Sequence, residues 1–415
     1  WLGTLLEWYD FAVYAYLVPS IAQLFFPSGH HGLQLLLTYS VFAIGYLIRP
    51  LGGLLFGSLG DRIGRKPIFL ATIWCMTLPT ILIGLLPTYQ VIGWFAPCAL
   101  VLLRLCQGLA AGGELSGSVI LVYESAPKHR KALYTTWLFI GSGCGVLLAS
   151  WVISILHYYS AHQLLMGWAW RVPFLLAIIG AVLSIWLRYQ AYESESFTDA
   201  KKHQRLIGSP LISLFTHQKK LLFQVMMLFA PGALLFYLNF IFLPSWLVAS
   251  HTFSSSIMVL NSFATMLLLV CSMGSAWLAD RVSQAAVIVV ALILIMVFAV
   301  VFCIGITAQS WLSWSINQFV LAIIFGGLTG PLMAFVLGNL AISTRYSALA
   351  TAYNIAYSIF GSTAPVLALC VLQASHRGFF YIGLYLFSLT LICLCVVLRL
   401  SNSSYPAIDH SGQAA

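Results

Sequence analysis

The sequence predicts an all-α polytopic membrane protein of about twelve transmembrane helices arranged in two six-helix halves, and three observations predict it. Only 7% of the 415 residues are Asp, Glu, Lys or Arg, while 61% are hydrophobic and mean hydropathy is +0.97; soluble domains carry roughly a quarter charged residues. A water-soluble core of this mass could not absorb so much apolar sequence and still keep a polar shell, so lipid is the second solvent. About twelve apolar runs reach the roughly 20 residues needed to cross a bilayer core. The basic residues fall in alternate connections between those runs, as topology rather than a binding face requires.

The runs are bounded by polar or Gly/Pro breaks. In the first half they cover Leu2–Phe26, Leu33–Leu59, Ile68–Leu86, Ile92–Tyr123, Ala132–His157 and Trp170–Gln190. In the second half they cover Leu221–Val248, Ser256–Ala279, Ala285–Ile306, Trp311–Ala341, Ala348–Ala374 and Phe379–Leu400. The polar stretch Tyr192–Lys220 is the one long interruption. It divides the chain into a six-helix bundle over 1–190, a linker over 191–220, a second bundle over 221–400 and a tail over 401–415. The chain opens at Trp1, already inside an apolar run and without Met, so residues are expected before it.

Charge orients the helices. One set of connections holds Asp61 to Lys66, Lys128 to Lys131, Lys201, Lys202, Arg205, Lys219, Lys220, Arg281 and Arg345; the other holds little beyond His30, His31, His157, His162, His251 and Arg377. The basic set is expected on the cytoplasmic side, with both termini there, in a plasma membrane of bacterial inner-membrane type. The net charge of +9 thus reflects topology and not nucleic-acid binding. The nine Cys are scattered singly apart from Cys393 and Cys395, so no metal or cofactor is expected.

An internal repeat supports two halves around one axis. Gly57-Ser58-Leu59-Gly60-Asp61-Arg62-Ile63-Gly64 after the second run has a worn copy, Ala276-Trp277-Leu278-Ala279-Asp280-Arg281-Val282-Ser283, after the eighth. Arg130 before the fifth run likewise matches Arg345 before the eleventh.

Gly57–Lys66 carries every residue of G-x-L-x-D-R-x-G-R-K, and Arg104-Leu105-Cys106-Gln107-Gly108 carries R-x-x-Q-G. In these the chain resembles the major facilitator superfamily of transporters. Glu7-Trp8-Tyr9-Asp10-Phe11, Arg49-Pro50-Leu51-Gly52-Gly53, Gly112-Gly113-Glu114, Trp170-Arg171-Val172-Pro173-Phe174 and Phe360-Gly361-Ser362-Thr363-Ala364-Pro365 resemble its metabolite:proton symporters, which include α-ketoglutarate, citrate, shikimate and proline/betaine permeases. The resemblance implies the major facilitator fold and transport by alternating access. The second-half copy lacks the Gly-Arg-Lys end, reading Ser283-Gln284-Ala285, so a lock built on it should be weaker.

Charges inside spans are costly and mark function. Here they are Glu7, Asp10, Arg49, Arg104 and Glu114, all in the first half, with Arg171 as an outer anchor at the entrance of the sixth run. Asp10 is the first candidate for proton coupling: burial favours the neutral acid and a nearby Arg the ionised one, and a carrier needs both settings. Arg104, about 16 Å into its helix, is the expected partner, and the resemblance implies the same pairing. The competing reading is a permanent ion pair fastening two helices. Glu114 and Glu7 are the alternative carriers.

Arg49 stands near the midplane, about 18 Å from the turn at Asp61. Its planar fork suits a substrate carboxylate, unless it instead pairs with Glu7, Asp10 or Glu114. Tyr9, Gln107, Tyr237, Asn239, Tyr353, Asn354 and Tyr357 complete the expected substrate contacts. The resemblance implies that Asp61, Arg62, Arg65, Glu124 and Arg130 form a cytoplasmic ion-pair lock.

The expected function is proton-coupled import of a small organic acid, a di- or tricarboxylate, by a monomer whose partners are substrate, protons and lipid. The alternatives are symport of a zwitterionic osmolyte or amino acid of proline/betaine type, and proton-coupled efflux. Efflux is disfavoured because Gly141-Ser142-Gly143-Cys144-Gly145-Val146 lacks the Pro of the antiporter motif. An enzyme is not expected, since no H-E-x-x-H, G-x-S-x-G or P-loop occurs.

Overall fold

The computed structural model describes residues 2–26, 30–63, 65–112, 115–161, 167–189, 219–249, 256–305, 311–340, 345–375 and 377–402. They are helical almost throughout and form twelve passages. Passage 1 is Leu2–Tyr16 with Val18–Phe25, passage 2 His31–Leu47 with Arg49–Ile63, and passage 3 Arg65–Leu85. Passage 4 is Phe95–Ala111 with Leu115–Ser125, passage 5 Lys131–Ala161 and passage 6 Val172–Tyr189. Passage 7 joins Lys219–Phe236, a π-helical turn Tyr237–Phe242 and Leu243–Ala249; passages 8, 9 and 10 are Ser256–Arg281, Gln284–Gly305 and Trp311–Gly338. Passage 11 joins Arg345–Ala356, a second π-turn Tyr357–Ser362 and Ala364–Ala374, and passage 12 is Gly378–Asn402. Among the described residues, seven stretches are long and apolar enough to cross a membrane, and four apolar helices are shorter. Large apolar side chains such as Trp74, Phe95, Ile179 and Val290 cover the outside of the bundle, as a lipid-facing surface requires.

Passages 1, 2, 7 and 11 are interrupted where the sequence alone suggests unbroken runs. In passage 2 the break falls at Ile48, just ahead of Arg49-Pro50. Proline has no N–H, so the carbonyl four residues earlier, that of Tyr46, loses its helical donor. The Ser358 hydroxyl, on the π-turn of passage 11, donates to that carbonyl at 2.6 Å. A broken helix at membrane depth is tolerated when another helix takes over the freed group.

Small residues let backbones touch. A Cβ on Gly108 would stand 1.8 Å from the Gly45 carbonyl, and one on Gly112 2.0 Å from that of Arg49, which locks passage 4 onto passage 2. The same device joins passage 10 to passage 8, where a Cβ on Gly330 would be 2.4 Å from the Ser272 carbonyl. These contacts fix Arg49 and Arg104 relative to one another.

Hydrogen bonds join passages 1–6 to passages 7–12 at both ends of the bundle. Away from the basic connections, the Tyr16 hydroxyl donates to the Phe240 carbonyl at 2.9 Å, and Tyr39 and Ser245 share a hydroxyl bond of 2.6 Å. Ser150 donates to the Met258 carbonyl at 3.0 Å and accepts from Ser262 at 2.8 Å. At the basic end, both oxygens of Asp280 accept backbone N–H groups of passage 5, from Ala132 and Leu133, each at 2.9 Å. Thr136 donates to the Gly330 carbonyl at 2.8 Å. The second-half copy of the motif is therefore engaged although it lacks the Gly-Arg-Lys end; one carboxylate suffices to cap a helix start.

Candidate functional site

Arg49 and Arg104 are among the largest fully buried side chains, at 1% and 0% exposure. Two guanidinium groups in a nearly dry interior need partners, because an isolated buried charge is very costly. The Arg49 Nη2 atom lies 2.9 Å from Glu7 Oε1. Its guanidinium also stacks over Tyr46, 4.0 Å from the ring centre, and over Phe11 at 4.4 Å. Glu7 is thus the partner that Arg49 takes in this structure, among the alternatives the sequence left open.

Asp10 lies one helical turn beyond Glu7. No ion pair joins it to Arg104 among the described residues. A chain of hydrogen bonds connects them instead: Thr80 Oγ1 donates to Asp10 Oδ2 at 2.8 Å, Gln107 Nε2 donates to Thr80 Oγ1 at 2.6 Å, and Arg104 Nη1 donates to Gln107 Oε1 at 3.0 Å. The Arg104 guanidinium also packs flat on the Tyr14 ring at 3.6 Å. The expected direct Asp10–Arg104 contact is replaced by this relay, because Thr80 of passage 3 and Gln107, one turn along passage 4 from Arg104, fill the gap.

Next to the Glu7–Arg49 pair is a wall of aromatic rings drawn from passages 1, 2, 7 and 11. Trp8 meets Tyr357 at 6.2 Å and Tyr237 at 6.5 Å between ring centres, Tyr46 meets Tyr237 at 5.3 Å, and Tyr353 meets Tyr357 at 4.3 Å. Trp8, Tyr353 and Tyr357 also line a cavity with Phe229, Thr135, Thr136, Ser142 and Thr329. Among the described residues, no charged side chain lines it. Ring faces and hydroxyls of this kind can hold an organic cation.

Of the residues expected to bind substrate, Arg49, Tyr237, Tyr353 and Tyr357 converge here. The others are turned elsewhere. The Tyr9 hydroxyl donates to the Pro173 carbonyl at 2.8 Å, and Gln107 belongs to the relay. Asn239 donates to its own helix at Leu235, 3.2 Å, and Asn354 donates to the Gly112 carbonyl at 3.1 Å. Glu114 lies outside the described residues, as do the side chains of Asp61, Arg62 and Arg65. Glu124 bonds across the bundle to Arg345 at 3.0 Å, and Arg130 is exposed just ahead of passage 5. Lys131 and Arg345 both lie over the Tyr123 ring, at 4.1 and 5.3 Å.

Sequence reasoning missed Thr80, Tyr46 and Phe11 as site residues and read Asp280 and Arg345 mainly as loop charges. The repeat carried a signal for the last two, since it aligns Asp280 with Asp61 and Arg345 with Arg130. Thr80 had none beyond a hydroxyl following Pro79 in an apolar run.

Comparison with known proteins accords with this architecture. The Major Facilitator Superfamily profile matches residues 1–368. The chain is 30% identical over 424 residues to a glycine betaine/proline/ectoine/pipecolic acid transporter of Dickeya dadantii, covering 100% of this chain and 84% of that protein. It is 29% identical over 414 residues to the shikimate transporter of Escherichia coli, covering 97% and 93%. The fold matches the partially occluded, inward-open xylose transporter of Escherichia coli with a TM-score of 0.71 at 16% identity, over 100% of this chain and 97% of that one. With twelve apolar passages, charges buried at their centre and a profile match over most of its length, the chain belongs to the Major Facilitator Superfamily and is an integral membrane secondary transporter.

Proposed function

We propose that the chain is a proton-coupled symporter that imports a compact zwitterion, an amino acid or betaine of the proline type. The observation that carries this reading is the Glu7–Arg49 pair, 2.9 Å apart, set against an aromatic wall. A zwitterion can exchange with that pair group for group: its carboxylate takes the Arg49 fork, and its ammonium takes Glu7 and the faces of Trp8, Tyr353 and Tyr357. A di- or tricarboxylate would have to bring two or three negative charges to an Arg already neutralised by Glu7. The relatives that carry proline and betaine support the same choice, and the zwitterion replaces the organic acid as the better supported substrate. The shikimate relative favours a second reading, a compact monocarboxylate that uses Arg49 alone.

In this reading Asp10 carries the proton, with Arg104 joined to it through Gln107 and Thr80, and Glu114 and Glu7 are the alternative carriers. Residues 1–190 and 221–400 rock as two bundles tethered by 191–220. The basic connections, both termini and the tail 401–415 face the cytoplasm of a bacterial inner membrane, and one chain is the working unit. Asp61, Arg62, Arg65, Glu124 and Arg130 close the cytoplasmic face together with Asp280 and Arg345.

Proteoliposomes with an inward proton gradient test the assignment. Labelled proline or glycine betaine should accumulate, and a protonophore should abolish accumulation. Citrate or α-ketoglutarate should neither accumulate nor compete. Accumulation of the di- or tricarboxylates without the zwitterions would overturn the reading.

A further inference from the structure

We propose that Thr80 is the positioning residue of the proton site: its single hydroxyl hydrogen points to Asp10 while that carboxylate is ionised and to the Met76 carbonyl once the acid is protonated. The inference rests on Asp10 being the proton carrier. The Thr80 oxygen is 2.8 Å from Asp10 Oδ2 and 2.9 Å from the Met76 carbonyl. A hydroxyl has one hydrogen and two lone pairs, so only one of these acceptors can hold the hydrogen at a time. One lone pair is filled by the Gln107 amide at 2.6 Å. The other is open to an O–H from Asp10.

The orientation of Gln107 follows from Arg104, which can only donate. Arg104 Nη1 at 3.0 Å therefore fixes the amide oxygen on its own side and turns the amide nitrogen toward Thr80. With its lone pair committed on that side, the hydroxyl cannot rotate to any third arrangement. In the ionised state Thr80 donates to Asp10. In the protonated state the Asp10 O–H donates to Thr80, and the Thr80 hydrogen swings to Met76. Thr80 gains and loses no proton; the one that Asp10 binds comes from water on the outer face and leaves to water on the inner one.

Thr80, Gln107, Arg104 and Asp10 are buried, at 1%, 1%, 0% and 5% exposure. A buried acid that changed protonation without such a rotor would leave a donor or an acceptor unpaired in one of its two states. The other charged groups nearby do not replace it. Arg49 of passage 2 is held by Glu7 of passage 1, and Arg171, ahead of passage 6, donates to the Gly84 and Leu86 carbonyls of the passage 3 end. Pro79 precedes Thr80 inside passage 3; it removes one rung of the helix ladder beside the rotor.

The test compares Thr80→Val, which keeps the shape and removes the hydroxyl, with Thr80→Ser, which keeps the hydroxyl. Each variant is reconstituted, and two rates are measured with whichever of labelled proline, glycine betaine and shikimate the wild type accumulates. One rate is uptake driven by a proton gradient; the other is exchange at equal internal and external substrate, which needs no net proton movement. The ratio of driven uptake to exchange should fall about tenfold in Thr80→Val, the equivalent of one charge-assisted hydrogen bond. In Thr80→Ser it should stay within about threefold of wild type. A wild-type ratio in Thr80→Val, or the same loss in Thr80→Ser, overturns the proposal. If Thr80→Val does not fold, Gln107→Leu carries the test, since it removes the group that holds the rotor; the same fall is expected, and a wild-type ratio refutes the idea. Asp10→Asn separates the two levels of inference: a wild-type ratio there sinks Asp10 as carrier, whereas a defect there beside a normal Thr80→Val sinks only the rotor.

Discussion

On the proposed reading, Arg49 is both structural and functional. It is paired with Glu7 and packs over the adjacent rings of Tyr46 and Phe11, so its planar group is held in place before any solute arrives. Binding then costs little side-chain ordering. Lysine at this position would keep the charge and lose both the fork and the stacking. Arg49→Lys should weaken substrate binding about tenfold or more, corresponding to roughly 1.5–3 kcal/mol. Isothermal titration calorimetry with labelled or unlabelled substrate reads the change. A dissociation constant within about twofold of wild type would exclude direct contact between Arg49 and the substrate carboxylate. That Arg49 is buried was legible from its place in an apolar run. Its choice of Glu7 was not, because that depends on how passages 1 and 2 are rotated about their axes, and rotation is set by packing that hydropathy does not encode.

At the scale of elements, the start of passage 5 and the end of passage 8 form one unit. The Asp280 carboxylate accepts two N–H groups in the first turn of passage 5, where the helix dipole also favours negative charge. These bonds cross the bundle and must break when passages 5 and 8 separate. Asp280→Ala should therefore remove about 1–2 kcal/mol from the state closed at this end, shifting the balance between closed and open by about tenfold. A single Cys at Thr329 on the cavity wall, in a background without native Cys, should label faster from the basic side when Asp280 is replaced. Equal labelling rates would show that the cap does not hold this end shut. The twelve passages and most of their limits were readable because a membrane span must be long and apolar; passage 8, for example, was expected over Ser256–Ala279 and runs over Ser256–Arg281. The π-turns at Tyr237–Phe242 and Tyr357–Ser362 were not readable. They leave composition unchanged, and their stray carbonyls are satisfied by residues far away in sequence, such as Tyr16 at Phe240.

Across the whole molecule, the charged side chains buried among the described residues are Glu7, Asp10, Arg49 and Arg104, two of each sign. The quartet sums to zero when Asp10 is ionised. On the proposed reading, a bound zwitterion leaves that sum unchanged and the coupled proton raises it by one. Each import step then carries one positive charge down the membrane potential, and uptake is electrogenic. A potential of 100 mV contributes about 2.3 kcal/mol per charge, or about fiftyfold accumulation, with no pH difference at all. A potassium diffusion potential set with valinomycin, negative inside, should drive uptake by itself. A monocarboxylate entering with one proton would leave the voltage without effect, so the electrical response of this transporter reads out the net charge of its cargo.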